Sequence, residues 1–364
     1  MPRLESELAR TVLSRNLKVR KGESVVIESW THGLPYVAAF VEETRRLGAD
    51  PMVLYEDERA WWSSVSGGRA KDVGRMSRSE KAALKAADVY VYFWGPEDRP
   101  RADALPERIA NSAFDFNEGW YGIGRKQGLR GCRMSVAYAT DPAAKVLGLD
   151  GTRWRRQIAA AGLADAQQMQ STGDKVAARL EKGKELRIHH KNGTDLTLGL
   201  VGRKARVEAG LVDKPAKARP YGFLTNSPAG TVLVALDEKK AEGVIVSNQA
   251  YIQPGFSSST GRWEFSGGKL VSYAYDNGHL EVQKKLDSLG EGKDRPAMFG
   301  LGLNAKGRGI PQYEEIEAGM SLLGIGGNAF LGGKTQLPFQ LYSMLRGADV
   351  EIDGTPIVRS GRVG

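Results

Sequence analysis

Val89-Tyr90-Val91-Tyr92-Phe93-Trp94, closed by Gly95-Pro96, is the stretch on which the fold turns. A short run of β-branched and aromatic residues ended by Gly-Pro reads as a buried strand. Towards the N-terminus, Met52-Val53-Leu54-Tyr55 and Val25-Val26-Ile27 repeat the pattern. Between them Val37, Phe40, Val41 and Leu47 share one helical face that stops at Gly48, and 78–87 is a second helical stretch. Met134-Ser135-Val136-Ala137 supplies a candidate fourth strand. Strands alternating with helices imply βαβ units and a mostly parallel sheet.

The pattern is helical over 151–182 and then changes character. Leu186 to Lys191, Asn192-Gly193, and Thr194 to Leu198 read as a hairpin, with Asn-Gly expected in a two-residue type I′ turn. Short strands follow at 230–236, 242–248, 261–265 and 268–274, with one helix at 277–289. The end, 297–359, is glycine-rich with short strands. The expected fold class is α/β, with an N-terminal βαβ-type domain over 1–182 and a mixed, strand-rich domain over 183–364.

The chain has 364 residues, 41% hydrophobic and 26% charged, which is enough apolar material for two cores. No run approaches the ~18 apolar residues of a membrane helix. The opening Met1-Pro2-Arg3-Leu4-Glu5 has no apolar signal core. A cytoplasmic protein with no membrane partner is therefore expected. The single cysteine, Cys132, excludes an intrachain disulfide.

The formal charge is +9, and 181–220 alone holds ten Lys and Arg against five Asp and Glu. They concentrate in Arg203-Lys204-Ala205-Arg206 and at Lys214, Lys217 and Arg219. A basic stripe such as 203–219 can attract nucleic acid. No aromatic residue interleaves before Tyr221 to stack on bases, so a solvated surface is the expectation. Gly324-Ile325-Gly326-Gly327 lacks dinucleotide-loop spacing, and no P-loop or Gly-x-Ser-x-Gly motif occurs. Glycine here points to bulges and close backbone approach.

Further along, several pieces follow one another in the order and spacing of a known domain. They are Ala297 to Asn304, Glu317 to Asn328, Gly332-Gly333, Gln340 to Arg346, and Val350 to Gly354. With Lys21 to Ile27, Gly193 to Leu198 and Asn226 to Val232, they make the chain resemble the thermophilic metallo-aminopeptidases, the aminopeptidase T and aminopeptidase S group. That resemblance implies a cleft where carboxylates and imidazoles hold two divalent ions, which activate water and polarise a peptide carbonyl. It also implies a homodimer paired through C-terminal domains.

The ligand positions of that family fall on other residue types here. The glutamate after Pro-x-Gly is Thr231, and the glutamate before Phe-Gly is Met298. A histidine falls on Leu322, a tyrosine near Ala329, and the His-x-Asp pair on Gln340 and Tyr342. Met and Leu are not hard-metal donors, and no histidine follows His279. The expectation is a retained fold with no metal and no cofactor. A related ring-cleaving dihydroxypyridine dioxygenase that uses one iron needs the same His-x-Asp pair.

Gln340, Tyr342, Asn328, Asn304 and Thr231 occupy or border this shell and are the candidate ligand-binding residues. No residue is singled out as catalytic. A divergent aminopeptidase-like protein is expected, a pseudoenzyme or a repurposed, metal-independent activity. It would bind a peptide-like or polar small molecule in the old cleft. Two alternatives stay open: an active metal-dependent aminopeptidase with shifted ligands, and a nucleic-acid-binding protein using 203–219.

Other reactive side chains have bland readings. His189 and His190 are adjacent on a strand and point to opposite faces. His279 opens a helix, and His32 sits in a loop. Cys132 lies among Arg130 and Arg133, which can lower a thiol pKa, but a lone cysteine entering a strand is expected to be structural. Glu314, Glu315 and Glu317 form an acidic cluster beside Tyr313, read as a solvated helix face.

Overall fold

The structure is a computed structural model that describes residues 3–67, 75–212, 223–253 and 256–364. The chain forms two compact units: Met1–Ala166 with Gly210–Ala229, and Gln167–Ala209 with Gly230–Gly364.

The first unit is built on a five-stranded sheet of order β2-β1-β3-β4-β8. Its strands are β1 (Ser24–Trp30), β2 (Asp50–Glu56), β3 (Val89–Phe93), β4 (Arg130–Met134) and β8 (Leu224–Ser227), and every pairing is parallel. The helix Leu34–Arg46 follows β1, and Arg78–Ala86 precedes β3 with a Ser77/Glu80 capping box. The fourth strand lies earlier than expected, and Ser135–Tyr138 is a 3-10 turn instead. Arg130 and Arg133 disguise β4 as a polar segment. Arg130 is nonetheless buried, donating to the carbonyls of Leu17 and Lys18 at 2.7 and 2.9 Å and pairing with Glu23. Gly131 leaves room for the Leu224 side chain, which sits 2.4 Å from where a Cβ would be.

The second unit holds two antiparallel sheets. The larger, of order β14-β13-β10-β6-β5-β18-β19-β20, comprises β5 (Glu185–His190), β6 (Thr194–Gly199), β10 (Ala241–Val246), β13 (Gly261–Ser266), β14 (Lys269–Tyr275), β18 (Asp349–Ile352), β19 (Thr355–Arg359) and β20 (Arg362–Val363). A separate ribbon pairs β11 (Tyr251–Gln253) with β12 (Phe256–Ser258). The smaller sheet, of order β17-β16-β15-β9-β7, comprises β7 (Arg206–Glu208), β9 (Thr231–Ala235), β15 (Pro296–Gly302), β16 (Ser321–Gly326) and β17 (Gln340–Leu345). Every residue of β15 and β16 is buried, which explains why they are apolar or glycine apart from Ser321.

The hairpin of β5 and β6 forms as expected, but its turn differs. His190 pairs with Thr194, so the loop has three residues, with Gly193 at φ 96°. A three-residue loop closing on a left-handed glycine replaces the type I′ turn. Asn192 is held by its side chain: its Nδ2 donates to Val246 O at 2.7 Å, and its Oδ1 accepts from Thr194 N at 3.2 Å. Among the described residues, no helix is long and apolar enough to cross a membrane.

Candidate functional site

Strand register places the family-implied ligand positions on one face of the smaller sheet. Ala235, Met298, Gly324 and Tyr342 form one cross-strand row, and Leu233, Gly300, Leu322 and Met344 form the next. Side chains two residues apart on a strand share a face, so Thr231 and Gln340 extend that face in opposite directions. Glycine makes room for the larger neighbours. A Cβ at Gly324 would lie 3.0 Å from both Met298 and Tyr342, and one at Gly300 would lie 2.8 Å from Leu233.

The centre of this face is apolar. Ala235, Met298, Met320, Leu322, Leu331 and Met344 form one buried cluster, with Leu233 and Tyr342 packed against it. The donor set at the implied ligand positions is thus a thioether, an alkyl chain, a hydroxyl, an amide and a phenol. It contains no carboxylate or imidazole and does not match a pair of hard divalent ions. Among the described residues no group of three or more His, Cys, Asp and Glu is placed to hold a metal.

The five candidate residues fall into two groups. Gln340, Tyr342 and Asn328 lie at one end of the sheet. The Tyr342 hydroxyl donates to Gln340 Oε1, while Gln340 Nε2 donates to Gly327 O at 2.6 Å and faces Met298 Sδ at 3.8 Å. Burial, reinforced by the charge of Glu315, pushes the Tyr342 phenol pKa up, so it stays a donor. Asn328 is fully buried. Its Nδ2 donates to Glu238 Oε1 at 2.9 Å and to Ala297 O at 3.1 Å, and its Oδ1 accepts from Thr335 N at 3.0 Å. These bonds use the amide to shape the loop that follows β16.

Thr231 and Asn304 lie at the other end. Thr231 pairs with Gly302 and Glu208, four residues, or ~13 Å, along β9 from the Met298 row. Asn304 is fully buried and caps its own turn, accepting from Lys306 N at 2.9 Å. It also borders a small cavity of about 230 Å³ with Arg308, Glu317 and Arg346.

A cleft of about 1080 Å³ opens beside the first group. Gln340 and Tyr342 line it together with Lys284, Lys285, Phe330 and Phe339. Lys284 and Lys285 come from the helix His279–Asp287, and the Lys285 ammonium lies 5.5 Å from the centre of the Phe339 ring. The loop wall is fastened from behind by Glu238, which pairs with Arg203 at 2.8 Å and accepts from Lys334 N at 2.8 Å. Burial works against the Glu238 charge, but Arg203, the Lys334 N–H and the Asn328 amide together hold its pKa down to about 2.

The acidic cluster also differs from its expectation. Glu314–Ile316 is a 3-10 turn, and Glu317 is buried, binding Arg346 through two bonds of 2.8 and 2.6 Å. Burial, with Glu314 adding to it, pushes the Glu315 carboxyl up to about 7. Cys132 is buried, and burial raises its thiol pKa rather than lowering it. In the described part of the basic stripe, Arg203 pairs with Glu238, Lys204 with Glu181, and Arg206 with Glu208. Lys214, Lys217 and Arg219 lie outside the described residues.

Sequence reasoning missed Lys284, Lys285 and Glu238. The Lys-Lys pair on an amphipathic helix was its only visible signal, and Glu238 had none.

A parallel α/β unit followed by glycine-rich antiparallel sheets, with the implied ligand positions on one sheet face, is the architecture of an aminopeptidase T-like protein. The thermophilic metalloprotease family (M29) matches residues 3–293, and the chain belongs to that family. AmpT from Thermus thermophilus superposes with a TM-score of 0.73 at 17% identity, covering 99% of this chain and 98% of its own. The 2,5-dihydroxypyridine dioxygenase from Pseudomonas putida KT2440 gives a TM-score of 0.66 at 18% identity, covering 99% and 96%. At these identities the two structures establish the fold alone. No curated protein matches the sequence.

Proposed function

We propose that the cleft beside Gln340 and Tyr342 binds a peptide-like or carboxylate-bearing small molecule, and that it does so without divalent ions. One observation carries this reading: a buried apolar cluster holds Met298 and Leu322, where the family resemblance implies metal ligands, and Tyr342 packs against that cluster while lining an open cleft with a polar rim. Concave sites with apolar walls and a few placed polar groups are the usual form of small-molecule sites. Gln340 and Tyr342 offer hydrogen bonds without fixed charge, and Lys284 and Lys285 offer a carboxylate partner. On this reading the protein is an aminopeptidase-like homologue with a pseudoenzyme's or a repurposed site, working as a cytoplasmic homodimer of two 39.6 kDa chains.

Calorimetric titration with the dipeptide Leu-Gly and its C-terminal amide tests the reading. Leu-Gly is expected to bind after exhaustive chelation, and the amide about tenfold more weakly, since a hydrogen bond to a charged group is worth roughly 1.5–3 kcal/mol. Tyr342→Phe and Gln340→Ala are each expected to weaken Leu-Gly about tenfold. Cobalt- or zinc-dependent hydrolysis of Leu-Gly, abolished by chelators, sinks the proposal in favour of an active metallo-aminopeptidase.

A further inference from the structure

The sheet of the first unit has the order β2-β1-β3-β4-β8, so the strand order reverses between β1 and β3. Open α/β sheets bind ligands beyond the carboxyl ends of the strands at such a reversal. Here the chain leaves β1 through Thr31-His32-Gly33 into the helix Leu34–Arg46, whose first turn has no side-chain cap. It leaves β3 through Trp94-Gly95-Pro96.

His32 ties these exits together. Its Nε2 is 2.8 Å from Trp94 O and 3.0 Å from Ala137 O. Both partners are carbonyls, so Nε2 carries the hydrogen. Nδ1 is buried and has no hydrogen-bond partner among the described residues, and the same holds for Trp94 Nε1. Buried polar atoms without partners are uncommon, and an absent ligand or water is a standard reason for them.

Around these atoms, flat rings alternate with guanidinium groups. Trp94 meets Tyr138 edge-on at 5.8 Å, and Arg133 lies 5.5 Å over the Trp94 ring. Arg99 lies 5.7 Å over Tyr138 and is also paired with Asp103 at 2.9 Å. Aromatic faces and guanidinium planes stack a flat ring. The indole N–H, Arg133 and the uncapped helix start favour negative oxygen, while Arg99 is already neutralised by Asp103.

We propose that this end of the parallel sheet is a second small-molecule site, built for a planar aromatic ring that carries an anionic group. It uses Trp94 and Tyr138 as ring platforms, Arg133 as the anion's partner, and His32 and the Trp94 N–H to orient the ligand's polar edge. The proposal does not depend on the cleft of the second unit.

The probes are flavin mononucleotide and 1-naphthoate, each titrated calorimetrically into the full chain beside its uncharged counterpart, riboflavin or 1-naphthol. At least one anion is expected to bind saturably, with its uncharged counterpart about tenfold weaker. Arg133→Met is expected to lower that affinity about tenfold. Trp94→Phe, which keeps a ring and removes the N–H, is expected to lower it about threefold or more. Both variants should keep the wild-type circular dichroism spectrum. Absence of saturable binding by both anions up to millimolar concentration overturns the proposal. So does wild-type affinity in folded Arg133→Met and Trp94→Phe.

Discussion

The parallel sheet of the first unit and the smaller antiparallel sheet of the second carry different kinds of polar group. On the parallel sheet, ionisable groups persist inside the structure. Burial, with the nearby charges of Glu80 and Glu56, pushes the Glu28 carboxyl up to about 8, and Tyr90 donates to it. Trp94 and His32 keep buried polar atoms without partners among the described residues. On the antiparallel sheet, the implied metal-ligand positions are filled by Met298, Leu322 and a Gln340–Tyr342 pair that bond to each other, and the unpartnered buried atoms there, among the described residues, are the serine hydroxyls of Ser321 and Ser343. The difference teaches that membership of a catalytic family fixes the backbone frame, while the chemistry follows from which side chains remain unsatisfied and which cleft stays open.

The largest expected effect comes from reversing the antiparallel sheet's character. Met298 is 3% exposed, so Met298→Glu places a carboxylate inside the apolar cluster. Uncompensated, this is expected to lower stability by about 3–5 kcal/mol at pH 7, measured by urea denaturation. Addition of cobalt or zinc should not restore the urea midpoint, because Leu322 and Met344 supply no further hard donor. A metal-dependent recovery would break the comparison by revealing a latent metal site.

Two carboxylates at the edges of that sheet should respond to pH with opposite signs. The Glu238 pKa is lowered when folded, to about 2 from 4.5. Its contribution is therefore complete above pH 4.5 and is lost as pH falls towards 2. Glu238→Gln is expected to cost roughly 1–2 kcal/mol at pH 7, allowing for solvent screening, and less than half of that at pH 3. The Glu315 pKa is raised when folded, from 4.5 to about 7. Its penalty is absent below pH 4.5, grows as pH rises to about 7, and is constant above. Glu315→Gln is expected to stabilise by about 1–2 kcal/mol at pH 8 and to be neutral at pH 4, allowing for partial exposure. Urea midpoints of both variants at pH 3, 4, 7 and 8 check the signs.

How far the sequence revealed these features depends on whether the signal was local. The runs at Val25 and Val89 announced parallel strands because buried strands are continuously apolar, whereas the Met52 run forms β2, an edge strand on which Met52, Val53 and Tyr55 are exposed. β4 was hidden because Arg130 carries its charge into the interior against carbonyls contributed from Leu17 and Lys18, more than a hundred residues away in sequence. β8 joins the parallel sheet from beyond β5–β7, a pairing that no periodicity encodes. Thr231, Met298, Leu322, Gln340 and Tyr342 were legible as members of one face only through the family resemblance. Their separation into a cleft end and a closed end follows from register, and the role of Glu238 follows from long-range hydrogen bonds.

The smallest expected effect tests whether the basic stripe belongs to either kind of surface. Lys204 pairs with Glu181 at 2.6 Å, but its side chain is 89% exposed. Exposed pairs gain little in high dielectric and lose side-chain entropy, so Lys204→Ala is expected to change stability by less than about 0.5 kcal/mol. Arg203→Ala should cost more, because that side chain is 13% exposed and helps hold Glu238 behind the cleft wall. Every described cation of the stripe already neutralises a carboxylate, which leaves little net charge there to displace counterions from a phosphate backbone. Single-stranded DNA titrated at several salt concentrations should therefore show weak binding, with the same salt slope for wild type and Lys204→Ala. A steep dependence whose slope falls by about one in Lys204→Ala would instead make Lys204 a phosphate partner, and the stripe would then rank beside the two proposed sites as a functional surface.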